Sequence, residues 1–111
     1  MIRAVFYTAG DQLRGFHIKG HAGLDEAGKD ILCASVSSAV MTVVNGICEC
    51  ASVSNTELRV EKSGDLFFLL PEDAGSETAL IFLQALELQL KLLQEDYKGH
   101  IKITYRDVTA L

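Results

Sequence analysis

The amino-acid sequence predicts an α/β fold: a two-layer sandwich with the element order ββαββαβ, a mostly antiparallel or mixed sheet, and two long helices on one face. Short segments in which apolar and polar residues alternate indicate strands with one solvated face. Two long apolar segments separate these strands and indicate the helices. The chain has 111 residues without repeats or linkers, so residues 1–111 are predicted to form a single domain.

The first two elements are predicted to be strands. Residues 2–8 read IRAVFYT, and the turn AGDQ separates them from a second strand near residues 13–20. Two sets of side chains should lie on opposite faces of the second strand: Phe16 and Ile18 on one, and Leu13, His17 and Lys19 on the other.

A buried helix is predicted from about residue 31 to residue 52. Its first eighteen residues, Ile31 to Cys48, carry no charge, which reaches the lower length of a membrane span. Serine, threonine, asparagine and glycine dilute this segment, and acidic rather than basic residues border it. A central helix of the core is therefore the better interpretation.

The second half of the chain repeats the pattern. Strands are expected near residues 56–62 and 65–70, joined by a hairpin turn at SGD. Pro71 ends this pair, a second helix follows at about 76–97, and a last strand lies near 100–106. The second helix carries more apolar residues than one sheet can cover, so we expect part of it to be buried in a homodimer.

Composition and charge limit the function. The net charge of −5 argues against nucleic-acid or membrane binding, because both need basic surfaces. The N-terminal apolar run is too short for a signal peptide, and three cysteines without a secretory context indicate free thiols. We therefore expect a cytoplasmic protein. His17, His21 and Cys33 could suggest a metal site, but neither Cys48 and Cys50 nor His17 and His21 have the paired spacing typical of structural zinc. Neither a metal nor another cofactor is therefore predicted.

One histidine and one cysteine form the main chemical signal. Asp30 is a good N-cap for the first helix and places Cys33 at about its third position. There the helix dipole and unpaired N–H groups favour a thiolate and could hold an oxyanion. His21 follows the second strand, and a glycine-rich connection could return it to Cys33 as a proton acceptor. These residue types are typical of a cysteine hydrolase.

The residues in this region match a known pattern. The chain reads GHAG at Gly20–Gly23 and GKDILCAS at Gly28–Ser35, which resembles the ribosomal-processing cysteine protease family (Prp). Leu32 stands where that pattern usually has valine or isoleucine, and Ser35 where alanine is common. Neither difference removes a reactive group.

The resemblance implies a homodimeric bacterial protease that removes a short N-terminal extension from a large-subunit ribosomal protein. Cleavage would follow a hydrophobic, Phe-rich sequence and proceed through a thioester acyl-enzyme. By the same resemblance, Cys33 is the nucleophile and His21 the general base. The family's aspartate falls at Asp30, which either orients the histidine or only caps the helix.

Four further residues are predicted around this pair. Gly20, Gly23 and Gly28 allow unusual backbone conformations, so their segment is expected to close over a bound peptide. Ser37 lies one helical turn after Cys33 and is expected to line the pocket.

Two other function classes stay open at this point: a non-catalytic module that binds a ribosomal protein, and a thiol redox or sulfur-transfer protein that uses Cys33. His100, at the start of the last strand, is expected to be a surface residue.

Overall fold

The computed structural model describes residues 1–23 and 30–111, in which five strands form one sheet and two helices pack on one of its faces. The strands and helices are β1 (Ile2–Ala9), β2 (Gln12–Lys19), α1 (Ile31–Asn45), β3 (Glu57–Val60), β4 (Leu66–Leu69), α2 (Glu77–Asp96) and β5 (Ile101–Asp107). A π-helical turn, Gly46–Cys50, continues α1, and a short 3-10 turn, Val108–Ala110, follows β5. The predicted fold class is confirmed.

The strand order β3-β4-β2-β1-β5 determines which chain segments meet. The β1–β5 pair is parallel, and the other three pairs are antiparallel. Ile2 pairs with Ile101, and Arg3 pairs with Lys19. The beginnings of β1 and β5 and the end of β2 therefore lie at one edge of the sheet, which we call the site edge.

The core lies between the sheet and the helices. In α1 the buried side chains follow helical spacing: Leu32, Val36, Val40, Val43 and Val44. Within the described part of the chain, one helical stretch, Ile31–Cys50, is long and apolar enough to cross a membrane by length and composition alone. Core helices of soluble proteins meet the same criterion, and this stretch contributes its buried stripe to the core cluster.

A β-bulge moves Leu13 to the core side of β2, so the prediction that it shares a face with His17 was wrong. Tyr7 pairs with Gly15 and Thr8 with Leu13, so that Arg14 is the extra residue. The Arg14 guanidinium donates hydrogen bonds to the carbonyl oxygens of Ala74 (2.8 Å) and Pro71 (2.6 Å). This extra residue reverses the alternation, and Leu13 joins the core cluster.

The opposite face of the sheet is less polar than the alternating pattern predicts. Tyr7 and Phe67 are buried there with their ring centroids 5.7 Å apart, and the Arg59 guanidinium lies 4.3 Å from the Phe67 ring centre. The His17 ring meets Phe67 edge-on at 5.7 Å. Burial, with a smaller contribution from Lys19, lowers the pKa of His17 below its ordinary value.

Candidate active site

A cleft of about 210 Å³ at the site edge brings together several residues predicted from the sequence. It contains the predicted residues Gly20, His21, Cys33 and Ser37. The remaining lining residues are Ile2, Ile18, Val36, Ser63 and Gly64. Segments distant in sequence, from β1, β2, α1 and the β3–β4 turn, thus form one surface around the cysteine and the histidine.

Cys33 is the third residue of α1 and is partly exposed. Its Sγ accepts a hydrogen bond from the backbone N–H of Ala22, with the two atoms 3.2 Å apart. An N–H donor at this position can stabilise negative charge that develops on the sulfur during a reaction. The positive end of the helix dipole acts in the same direction.

Asp30 caps α1. Its side chain is buried, and Oδ1 accepts hydrogen bonds from the N–H groups of Leu32 and Cys33, each at 3.0 Å. These are two of the N–H groups from which the sequence suggested oxyanion binding, and the Asp30 carboxylate already engages them. The capping role is therefore present. Among the described residues no hydrogen bond joins Asp30 to His21, and the orienting role stays a prediction.

The GHAG segment turns away from β2 through two glycines. Gly20 and Gly23 have φ values of +81° and +73°, in the left-handed region that favours glycine. A Cβ at Gly20 would lie 2.5 Å from the carbonyl oxygen of Met1. The Gly20 N–H donates to Asp65 Oδ1 at 3.1 Å, which ties the segment to the β3–β4 turn.

His21 and Ser37 are both exposed at the cleft. An exposed imidazole there can exchange protons with a substrate bound against Cys33. Gly28 and the predicted closure of the loop over a peptide lie outside the described residues.

His100 was expected to be a surface residue, but the structure places it against the site. Its ring is partly buried, and Nδ1 lies 2.7 Å from the carbonyl oxygen of Ala22. The sequence signal that points to it is topological. Because β5 is parallel to β1 and β1 is antiparallel to β2, the residue before β5 lies at the same end of the sheet as the segment that follows β2.

The other candidate ligands lie elsewhere. His17 packs against Phe67 on the open face of the sheet. Cys48 contacts Thr56 Oγ1 at 3.5 Å, and Cys50 is exposed. Across residues 1–23 and 30–111, no group of three or more His, Cys, Asp or Glu side chains is arranged to hold a metal ion.

A second cleft of about 180 Å³ continues from the first along α1. We call it the apolar groove. It shares four residues with the cysteine cleft: Ile18, Val36, Ser37 and Gly64. Its own lining is apolar and consists of Val40, Met41, Val60 and Leu66. Leucine, valine and methionine side chains thus extend the surface beside Cys33.

Larger clefts, of about 400 and 460 Å³, lie around the other ends of β1 and β2. The described residues that line them include Thr8 and Tyr105 in one and Ala9 and Val108 in the other, but neither cysteine nor histidine. These larger clefts therefore offer no candidate nucleophile of this type, and the smaller cleft that contains Cys33 and His21 is the candidate active site.

Comparisons with known proteins identify the family of this chain. The family model of the cysteine protease Prp matches residues 1–102. The ribosomal processing cysteine protease Prp of Bacillus subtilis is 28% identical over 108 residues, which cover 94% of this chain and 96% of that protein.

Two solved structures of Prp from Staphylococcus aureus share the fold. One contains a covalently linked product peptide and has a TM-score of 0.85; the other contains a substrate peptide and has a TM-score of 0.77. Each is 24% identical and covers 96% of this chain and 100% of its own. Because the family model spans nearly the whole chain, this protein belongs to the Prp family of ribosomal processing cysteine proteases.

Proposed function

We propose that this protein is a site-specific endopeptidase that removes a short N-terminal extension from a large-subunit ribosomal protein, with Cys33 as nucleophile and His21 as general base. One observation carries the mechanism. Cys33 Sγ sits at the N-terminus of α1, accepts the Ala22 N–H at 3.2 Å and shares its cleft with His21.

The reaction begins when His21 takes the Cys33 proton and the sulfur attacks the scissile carbonyl carbon. A C–S bond forms, and the carbonyl electron pair moves to oxygen. When the tetrahedral intermediate collapses, the C–N bond breaks and the leaving amine takes the proton from His21. The remaining thioester is attacked by water, which gives a proton to His21. The C–S bond then breaks, the peptide acid is released, and the sulfur takes the proton back from His21, which restores Cys33 and His21.

The apolar groove supports a substrate with bulky apolar side chains next to the cut. It begins at the residues shared with the cysteine cleft and continues to Met41 and Val60. Met41 and Val60 are 38% and 61% exposed, so apolar surface is available to a ligand. An extended peptide bound there would bury these side chains, which is favourable at about 25 cal/mol per Å² of apolar surface. This agrees with a Phe-rich cleavage sequence.

A cleavage assay tests the proposal directly. Purified protein is mixed with a synthetic peptide that matches the N-terminal extension of the host's ribosomal protein, and the products are analysed by mass spectrometry. We expect one defined cut by the wild-type protein and a loss of more than about a thousandfold in both Cys33→Ala and His21→Ala. Ser35→Ala is the matched control, since its hydroxyl donates to the Ile31 carbonyl within α1.

The same assay distinguishes the other function classes. A binding module would hold the peptide intact and tolerate both substitutions. A redox or sulfur-transfer thiol would need Cys33 but not the proton acceptor His21. An intact peptide with wild-type protein would therefore contradict the proposed protease activity on this substrate.

We also propose that the protein is a homodimer. On α2 an exposed apolar stripe runs through Ile81, Ala85, Leu88 and Leu92, with spacings of four, three and four residues. Ile81 and Leu88 are 63% and 59% exposed in the single chain. A second copy of the same helix would cover this stripe in a symmetric contact.

A cytoplasmic location follows from the proposed substrate, because ribosomal protein precursors would have to meet the enzyme where they are synthesised. All three cysteines are free thiols in the structure, as a reducing compartment requires. Cell fractionation with an antibody against the protein would test this location.

A further inference from the structure

We propose that His100 is a positioning residue for the cysteine site, which holds Ala22 so that the Ala22 N–H points at Cys33 Sγ. This inference deepens the proposed function and rests on Cys33 as its nucleophile. His100 touches neither the sulfur nor a substrate in this arrangement; it acts through the backbone of Ala22.

The contact between His100 and Ala22 requires a proton on Nδ1 of the imidazole. Nδ1 lies 2.7 Å from the Ala22 carbonyl oxygen, a short distance for a nitrogen–oxygen hydrogen bond. A carbonyl oxygen only accepts, so Nδ1 must carry a proton and donate it. Of the two neutral tautomers of His100, the one with hydrogen on Nδ1 is thereby selected.

The backbone of His100 is fixed on both sides. Its N–H donates to the Tyr97 carbonyl at 3.1 Å, and its carbonyl accepts the Ile2 N–H at 2.9 Å. It directly precedes β5, the parallel neighbour of β1. The imidazole therefore extends from a rigid position at the site edge toward the GHAG segment.

Ala22 is the point where these interactions converge. Its side chain is 2% exposed in the core, its N–H donates to Cys33 Sγ, and its carbonyl accepts from His100. The flanking residues Gly20 and Gly23 both have positive φ and give the segment conformational freedom. Outside the strand pairing, side-chain and core contacts have to hold this backbone in place.

Loss of the His100 donor would release one of these contacts. The Ala22 carbonyl would lose its partner, and the glycines on either side would allow the segment to turn. The N–H group that donates to Cys33 Sγ belongs to Ala22, and His21 is the preceding residue. A change in the Ala22 backbone would therefore affect both. We therefore expect a less reactive Cys33 and slower acylation, rather than only a less stable fold.

Three variants test this role. His100→Asn keeps an N–H donor attached to the same side-chain carbon position as Nδ1. His100→Gln moves that donor one bond further from the backbone, and His100→Leu removes it at similar size. Each is compared with the wild type by the rate of Cys33 alkylation with iodoacetamide at pH 7, assigned by peptide mapping, and by thiolate absorbance at 240 nm.

We expect His100→Leu to slow Cys33 alkylation by about tenfold, the factor associated with loss of one hydrogen bond, and to lower kcat for peptide cleavage similarly. His100→Asn should stay within about threefold of the wild type, because it preserves the donor. If His100→Leu does not fold, the comparison of Asn with Gln decides in the same way. The proposal would be overturned if His100→Asn slowed alkylation as much as His100→Gln and His100→Leu do. It would also be overturned if all three variants were alkylated at the wild-type rate.

The alkylation assay needs no substrate, so the two proposals fail separately. A wild-type protein that does not cleave the ribosomal peptide would contradict the proposed function and leave the His100 comparison intact. Normal cleavage with unchanged Cys33 reactivity in His100→Leu would contradict the positioning role alone.

Discussion

At the scale of single residues, Asp30 places a carboxylate at the first turn of α1, which contains Cys33. Oδ1 accepts from the N–H groups of both Leu32 and Cys33, so the carboxylate fixes the backbone at Cys33 while its charge opposes any negative charge that develops on the sulfur. The Ala22 N–H on the sulfur acts in the opposite direction. The site thus combines a rigid cysteine backbone with a dedicated donor for the sulfur.

Substitution of Asp30 separates the capping role from the orienting role. We expect Asp30→Ala to lower the free energy of unfolding by about 1 kcal/mol, because two N–H groups of the first helical turn lose their acceptor. Asp30→Ser should recover most of that loss, since a serine hydroxyl also caps helices. Urea denaturation followed by circular dichroism measures both.

The cleavage rate of Asp30→Ser then decides the second role. A serine that restores both stability and kcat would limit Asp30 to capping. A stable Asp30→Ser protein with kcat reduced by about a hundredfold or more would assign the carboxylate a part in orienting His21.

At the scale of secondary-structure elements, the end of the first helix departs most from the predicted pattern. The sequence predicts a continuous helix to about residue 52, whereas α1 ends at Asn45 and a π-helical turn covers Gly46–Cys50. The α2 helix approaches closely there: a Cβ on Gly46 would lie 2.4 Å from Phe82 Cε1. A side chain at this crossing would overlap the aromatic ring, so any residue larger than glycine requires Phe82 or the backbone to shift.

Gly46→Ala is expected to lower the free energy of unfolding by about 1–3 kcal/mol through this overlap. Thermal or urea denaturation provides the measurement. Gly75→Ala is the matched control, since a Cβ there has no atom within 4 Å and the residue has no positive φ. The double variant Gly46→Ala, Phe82→Leu should recover part of the loss; equal stability of Gly46→Ala and the control would show that the ring moves aside without cost.

At the scale of the whole molecule, the exposed stripe on α2 predicts the assembly state. Replacing Leu88 with glutamate would put a charge in the centre of the proposed dimer contact, where it would be desolvated without a partner. We expect Leu88→Glu to elute as a monomer in size-exclusion chromatography with light scattering, and the wild type as a dimer. Lys98→Glu, at an exposed position beyond the end of α2, is the control.

A wild-type protein that is monomeric at about 100 μM would contradict the proposed dimer, since a stable dimer has a dissociation constant well below that concentration. Retained cleavage by a monomeric Leu88→Glu protein would show further that each chain contains a complete site.

Local sequence determined the secondary-structure elements of this protein and pointed to its candidate catalytic pair, His21 and Cys33. Alternating residues specified the strands, Asp30 specified the start of α1, and the GHAG and GKDILCAS segments identified His21 and Cys33. These features depend on neighbours a few residues apart, because helix caps, strand alternation and motif spacing are short-range properties. The family and the fold class followed from them.

Only the tertiary structure decided the surroundings of that pair. The bulge at Arg14 placed Leu13 on the core face of the sheet. The strand order brought His100 and Asp65 next to the GHAG segment. His100 lies 78 positions from Ala22, and no local pattern links residues so far apart. The pairing of β5 with β1 creates their contact, and that pairing depends on how the whole sheet buries its core face.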